Sequence, residues 1–278
     1  MESNSHVTRV HFYHADANVL GGFLESPFEE TIPIQAPLSL PAVGGYGIAR
    51  AEKFSVKGIL SFESAYTQVA GSVSKKTGGW TTMGTAVIEK LNVLNIFTAE
   101  RIVAQIATEH PRVGYYPEVT FLGTQFEGVR IAGNPVKVDL DLNICDTTDG
   151  TEADASGHRY PKEACFTDKR FLAKVAAQYR HMTSDSNAPA WLRDQFAQGP
   201  DQGKGHVLCS IIKSVTGQFP GKSYGNILEV PGFGKIFLGE FIVNGESFNL
   251  SMVRLELGCP TQGKVSMARL VINGSTAP

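Results

Sequence analysis

Two long stretches of short apolar runs, at about 7–144 and from His206 to the C-terminus, flank one helical, loop-rich segment holding two of the four cysteines. The chain has 29 glycines and 14 prolines, and in both stretches they recur as punctuation, which is the signature of many strands joined by turns. With 278 residues, 42% of them hydrophobic and 19% charged, such a chain can bury a large core. The reading is a mainly β fold: an antiparallel β-sandwich or distorted barrel with a small helical insertion. About 1–145 and 206–278 form a single β-domain, and 146–205 is the insertion, because some 60 residues can hardly bury a core alone.

Period-two alternation is clearest over 136–144, where Val136, Val138, Leu140, Leu142 and Ile144 alternate with Lys137, Asp139, Asp141 and Asn143. Earlier strands are expected over 7–14, 47–56, 59–74, 80–91, 96–108 and 118–122, with a turn at Thr77-Gly78-Gly79. Ala99 to Ala107 has helical propensity, but Ile102, Ala104 and Ile106 alternate and favour a strand. Near the C-terminus, 235–243 and 246–257 form a hairpin in which Asn244-Gly245 can supply a type I′ turn. Within 246–257 the apolar parity switches between Met252 and Val253, which predicts a β-bulge or a strand buried on both faces. In the insertion, Thr167 is a reasonable N-cap for a helix with an apolar stripe from Phe171 through Leu172, Val175, Ala176 and Tyr179 to Met182. A shorter helix starts near Asn187, with Pro189 in its first turn and Trp191, Leu192 and Phe196 facing inward.

Composition excludes several roles. A formal charge of -2 with both signs dispersed argues against an electrostatic nucleic-acid partner. No apolar run reaches about 18 residues, so no membrane span is expected. Residues 1–6 have neither a basic nor an apolar leader region, so the default compartment is the cytoplasm, with an extracellular location not excluded. Cys145, Cys165, Cys209 and Cys259 show no C-x-x-C spacing. In an oxidising compartment Cys145 and Cys165 could bracket the loop between them; in the cytosol they would be free thiols.

No motif carries an activity. Residues 216–223 look like a P-loop, but Gly217 and Gly221 enclose three residues where the phosphate cradle needs four. His11, His14 and Asp16 are metal candidates, but in an unbroken strand His11 would face away from the other two, and an exposed strand end is the plainer reading. Asp139 and Asp141 share a strand face about 7 Å apart, within range for glycoside hydrolysis or, with Asp146 and Asp149, for calcium; a solvated strand face is the plainer reading. His206 and Cys209 could form a catalytic dyad, although cysteine is often simply a small buried residue. No cofactor motif is present, and the cofactor is left open.

The runs 87–93, 98–104 and 126–136, the last containing Val129-Arg130-Ile131-Ala132-Gly133, resemble β-rich bacterial choice-of-anchor proteins over about residues 80–140. The whole chain, notably 230–234 and 254–260, resembles uncharacterised bacterial hypothetical proteins. Neither resemblance implies an activity. The resulting expectation is a non-enzymatic binding or self-assembly protein whose β-rich surface recognises a protein, a glycan or a second copy. Exposed-looking aromatics at Tyr115-Tyr116 and Trp80 motivate it. The alternative is a small-molecule enzyme or carrier, metal-dependent or not, with a pocket in a barrel mouth covered by the helical insertion.

Overall fold

The computed structural model describes residues 9–146, 151–153, 157, 159–184, 188–197, 199–200, 205–258 and 260–277, so Asp149, Asn187 and Cys259 lie outside the described residues. Two antiparallel sheets pack face to face. Sheet I runs in the order Asn134–Pro135, Arg130–Ile131, Phe97–His110, Trp80–Val93, Leu60–Val73 and Gly45–Val56. Gln125–Glu127 and Glu118–Thr120 also pair with Phe97–His110. Sheet II runs Lys222–Tyr224, Ile227–Val230, Gly234–Asn244, Ser247–Leu257, Gln262–Ile272, Ala15–Ser26 and Glu30–Gln35, with His206–Ser210 and Leu38–Ser39 attached. Both sheets stay open, so of sandwich and barrel the fold is the sandwich. The faces meet closely: a Cβ on Gly84 of sheet I would sit 3.3 Å from Leu270 of sheet II. One apolar core lies between them, and its fully buried Phe97, Phe121, Phe241 and Phe248 contribute about 1.5–3 kcal/mol each on the usual transfer scale.

The parity switch at Met252 and Val253 is part of a row crossing four strands. Flanking pairs keep one register, so Val19, Ala268, Met252 and Gly239 stand opposite one another. Ala268 and Gly239 have left-handed φ, 49° and 55°, which sends two successive side chains to the same side without slipping the ladder. The doubled positions Val19-Leu20, Leu238-Gly239, Met252-Val253 and Met267-Ala268 are all buried.

Sheet I repeats the device with the opposite polarity. Lys53, Glu63, Lys90 and Glu100 stand opposite one another, and Lys53 and Lys90 have φ of 46° and 56°. Here the doubled positions point to solvent and all are polar: Glu52-Lys53, Glu63-Ser64, Glu89-Lys90 and Glu100-Arg101. The left-handed residues fall on alternate strands in both sheets, so the two four-stranded units are built alike.

Several local expectations are corrected. Asn244 pairs with Ser247, so the hairpin turn is Gly245-Glu246, and only Gly245 has positive φ (60°), the type II′ pattern in place of type I′. Only Lys137–Leu140 of 136–144 is a strand, paired with Ile212–Thr216; the chain then turns through 142–145. The first helix, α1, is Lys169–Ser184, capped by Asp168: its Oδ1 accepts from the backbone N–H groups of Arg170 at 2.8 Å and Phe171 at 3.0 Å. Thr167 ends a preceding 3₁₀ turn, with its hydroxyl donating to the Ala164 carbonyl. Pro189 precedes the second helix, α2, Ala190–Phe196. The Ala15–Ser26 strand, next to the last in the order of sheet II, escapes alternation analysis because Val19-Leu20 breaks its parity and Gly21-Gly22 follows. A Cβ at Gly22 would lie 2.2 Å from the Lys264 carbonyl oxygen. Among the described residues no helix is long and apolar enough to cross a membrane.

Candidate functional site

The residues singled out in the sequence do not converge. The strand does break after Phe12, and the first of the three metal candidates turns inward: His11 is buried. His14 and Asp16 stay at the surface, where His14 Nε2 lies 3.2 Å from Asp16 Oδ2 and Asp16 accepts from the Ser39 hydroxyl. Asp139 is held by Lys137 at 2.8 Å and by the Ser214 hydroxyl at 3.1 Å, contacts that lower its pKa. Asp141 lies 3.9 Å from Lys174 on α1. His206 is exposed at the start of its strand, whereas Cys209 is buried with its thiol toward the Phe241 carbonyl, 3.4 Å away. Burial pushes the Cys209 thiol well above its ordinary range, the reverse of what an activated nucleophile needs. Among the described residues no three His, Cys, Asp or Glu side chains are grouped as a metal site.

Sequence reasoning missed the polar end of the core. His110 and Trp80 pair across two strands of sheet I and face inward, as do Thr108 and Thr82 in the next inward row. His11 joins them from the other end of the chain. Its ring stacks on Trp80 with centroids 5.4 Å apart, meets Tyr13 edge-on at 4.7 Å and lies 4.7 Å from His110. His11 Nδ1 bonds the Thr276 hydroxyl at 3.0 Å. Both rings crowd Gly274, where a Cβ would come within 2.7 Å of His11 Nε2. His11 Nε2, both His110 nitrogens and the hydroxyls of Thr82 and Thr108 have no hydrogen-bond partner among the described residues; the His110 ring faces the Gly274 backbone without good hydrogen-bond geometry. Burial holds both imidazoles neutral, with pKa values pushed down to about 4. Trp80, which reads as exposed in sequence, is therefore part of this buried cluster, while Tyr115 is 73% exposed.

The two sheets differ in what covers them. On sheet II the outward-facing Lys235 lies under Trp191 of α2, 3.7 Å from the ring centroid, and Arg254 covers Phe237. α1 is tied to His206–Ser210: the Tyr179 hydroxyl donates to the Leu208 carbonyl, and Gln178 exchanges hydrogen bonds with the Ser210 backbone. Sheet I ends instead in Gly45–Val56, a 12-residue strand whose far edge pairs with no described strand. Its outward face carries Tyr46, Ile48, Arg50 and Glu52, all exposed. Neither the Arg50 nor the Glu52 side chain has a hydrogen bond or ion pair among the described residues. An open trough of about 530 Å³ starts at Glu52 and follows the charged double row across the sheet to Glu100 and Arg101.

No curated protein matches this chain. No solved structure matches it either. A family model described as "Domain of unknown function (DUF8256)" matches residues 11–244, most of the first β stretch, the whole insertion and about half of the second stretch, and the chain belongs to that family.

Proposed function

We propose that this is a non-enzymatic assembly protein that joins a second copy of itself through the free edge of Gly45–Val56. The observation carrying the reading is the pair Arg50 and Glu52, exposed on one face of a strand whose outer edge pairs with no described strand, two residues apart and with side chains that have no partner among the described residues. An antiparallel copy related by a two-fold axis through Ala51 would set Arg50 of each chain opposite Glu52 of the other. Each such cross-strand pair contributes about 0.2–1 kcal/mol, and the ladder would also cover Tyr46 and Ile48. Edge charges commonly keep strands apart, but this spacing makes them complementary rather than repulsive.

Sedimentation velocity tests it. Twice the 30.0 kDa chain mass is expected, Arg50→Glu is expected to weaken association, and the swap Arg50→Glu/Glu52→Arg to restore it. A monomer at high concentration would sink the reading.

A cleft of about 310 Å³ beneath α1 favours a second reading, a small anionic ligand held under the helical insertion. Lys174, His181 and Lys213 line it against the single carboxylate of Asp141, with Gln178 and Ser210 as neutral hydrogen-bonding groups. Thermal shift with phosphate and small carboxylates, repeated on Lys213→Glu, tests that reading; no shift with any of them removes it.

A further inference from the structure

We propose that Cys145 and Cys165 are a disulfide-forming pair that staples the helical excursion to the sandwich under oxidising conditions. The thiols are already in contact: Cys165 Sγ points at Cys145 Sγ from 3.4 Å, although 20 positions separate them in the chain. They stand at the two ends of the excursion's first leg. Cys145 closes the turn that follows Lys137–Leu140, and Cys165 opens the 3₁₀ turn that leads to Asp168 and α1. Both ends are anchored, since Lys174 on α1 donates to the Asn143 carbonyl at 2.5 Å and Asp168 caps the helix. A bond between the sulfurs would therefore join two fixed points and needs only a short approach of the side chains.

The two thiols differ in access. Cys145 is buried and its thiol is held well above the ordinary range by desolvation and then by the Cys165 contact, whereas Cys165 is half-buried and reachable. With a low-molecular-weight disulfide such as oxidised glutathione as oxidant, the Cys165 thiolate attacks one sulfur and expels one glutathione thiolate. The Cys145 thiol then loses its proton to solvent and displaces the second glutathione from the mixed disulfide. Two protein S–H groups and one glutathione disulfide become one protein S–S bond and two glutathione thiols. Cys209, also buried, has its thiol turned to the Phe241 carbonyl at 3.4 Å.

The test is to equilibrate the folded protein with glutathione buffers of graded redox ratio, block free thiols by alkylation, and map the peptides by mass spectrometry. A linked Cys145–Cys165 peptide, with Cys209 alkylated only after unfolding, is the expected result. The oxidised form is expected to melt roughly 5–10 °C higher, from closure of a loop of this size. Cys209→Ser should leave both results unchanged, and Cys165→Ser should abolish them. Thiols that all remain free in the folded protein under oxidised glutathione would overturn the assignment, as would a bond from either cysteine to Cys209 or Cys259.

Discussion

His11 and Trp80 stack with ring planes 11° apart and centroids 5.4 Å apart, joining the first described strand to the far end of sheet I. His110 completes the contact from the strand next to Trp80. Two neutral imidazoles thus share one buried corner in which nothing described neutralises a positive charge.

This corner should make the protein acid-sensitive. Burial lowers both histidine pKa values from 6.5 to about 4, so between those values the unfolded chain takes up protons that the folded chain refuses. The histidine contribution to stability is therefore complete above about pH 6.5, falls as the pH drops toward 4, and is flat below that. A shift of this size corresponds to roughly 3 kcal/mol for the more deeply enclosed His110, with a smaller part from His11. Urea titrations at pH 7.5 and 4.5 measure it, with Trp80 emission as the local probe in a Trp191→Phe background. His110→Phe should flatten the profile; an unchanged slope would refute the account.

Removing the α1 cap should loosen that helix. Asp168→Ala leaves the Arg170 and Phe171 amides without their acceptor, at a cost of about 1–2 kcal/mol. Amide exchange at those two positions is expected to speed up together with the fall in stability. Exchange at the wild-type rate would mean that another group caps the helix.

Gly71→Ala should destabilise the sandwich where Tyr13 packs. The added Cβ would lie 2.6 Å from the Tyr13 ring and 2.8 Å from Leu40, and both neighbours are buried. Overpacking of this kind costs about 1–3 kcal/mol, readable as a lower urea midpoint. A variant as stable as the parent would show that the Tyr13 ring can move away freely.

Arg254 should matter through the groups it leaves behind. Its guanidinium binds Glu240 twice, at 2.6 and 2.8 Å, and Glu256 at 2.7 Å, while lying over Phe237. The Glu240 side chain is only 12% exposed, so Arg254→Met strands a nearly buried carboxylate and should cost about 2–4 kcal/mol. Arg254→Met/Glu240→Leu should recover most of that loss, because the unpaired charge is gone. Failure of the double variant to recover would point to packing on Phe237 as the larger effect.

Much of the scaffold is legible in the chain because a strand's in-and-out alternation is local. The strands around Trp80, Phe97, Gly234 and Ser247, and the apolar stripe of α1, follow directly from it. The row of inverted parity is visible at Met252-Val253. Its partners at Val19-Leu20, Leu238-Gly239 and Met267-Ala268 become one feature only when the ladders align them. The polar pairs Glu52-Lys53, Glu63-Ser64, Glu89-Lys90 and Glu100-Arg101 are equally plain as letters, yet nothing local marks them as a single outward band.

By itself the sequence determined that the chain is β-rich, where most strands run, and that a helical segment interrupts them, since each depends on neighbours a few residues apart. Tertiary structure alone decided that His11 meets His110 and Trp80, that Cys145 touches Cys165, and that the outer edge of Gly45–Val56 pairs with no described strand. Those relations arise from strand order and sheet packing across tens to hundreds of residues, and no periodicity within one strand encodes which strand will lie beside it.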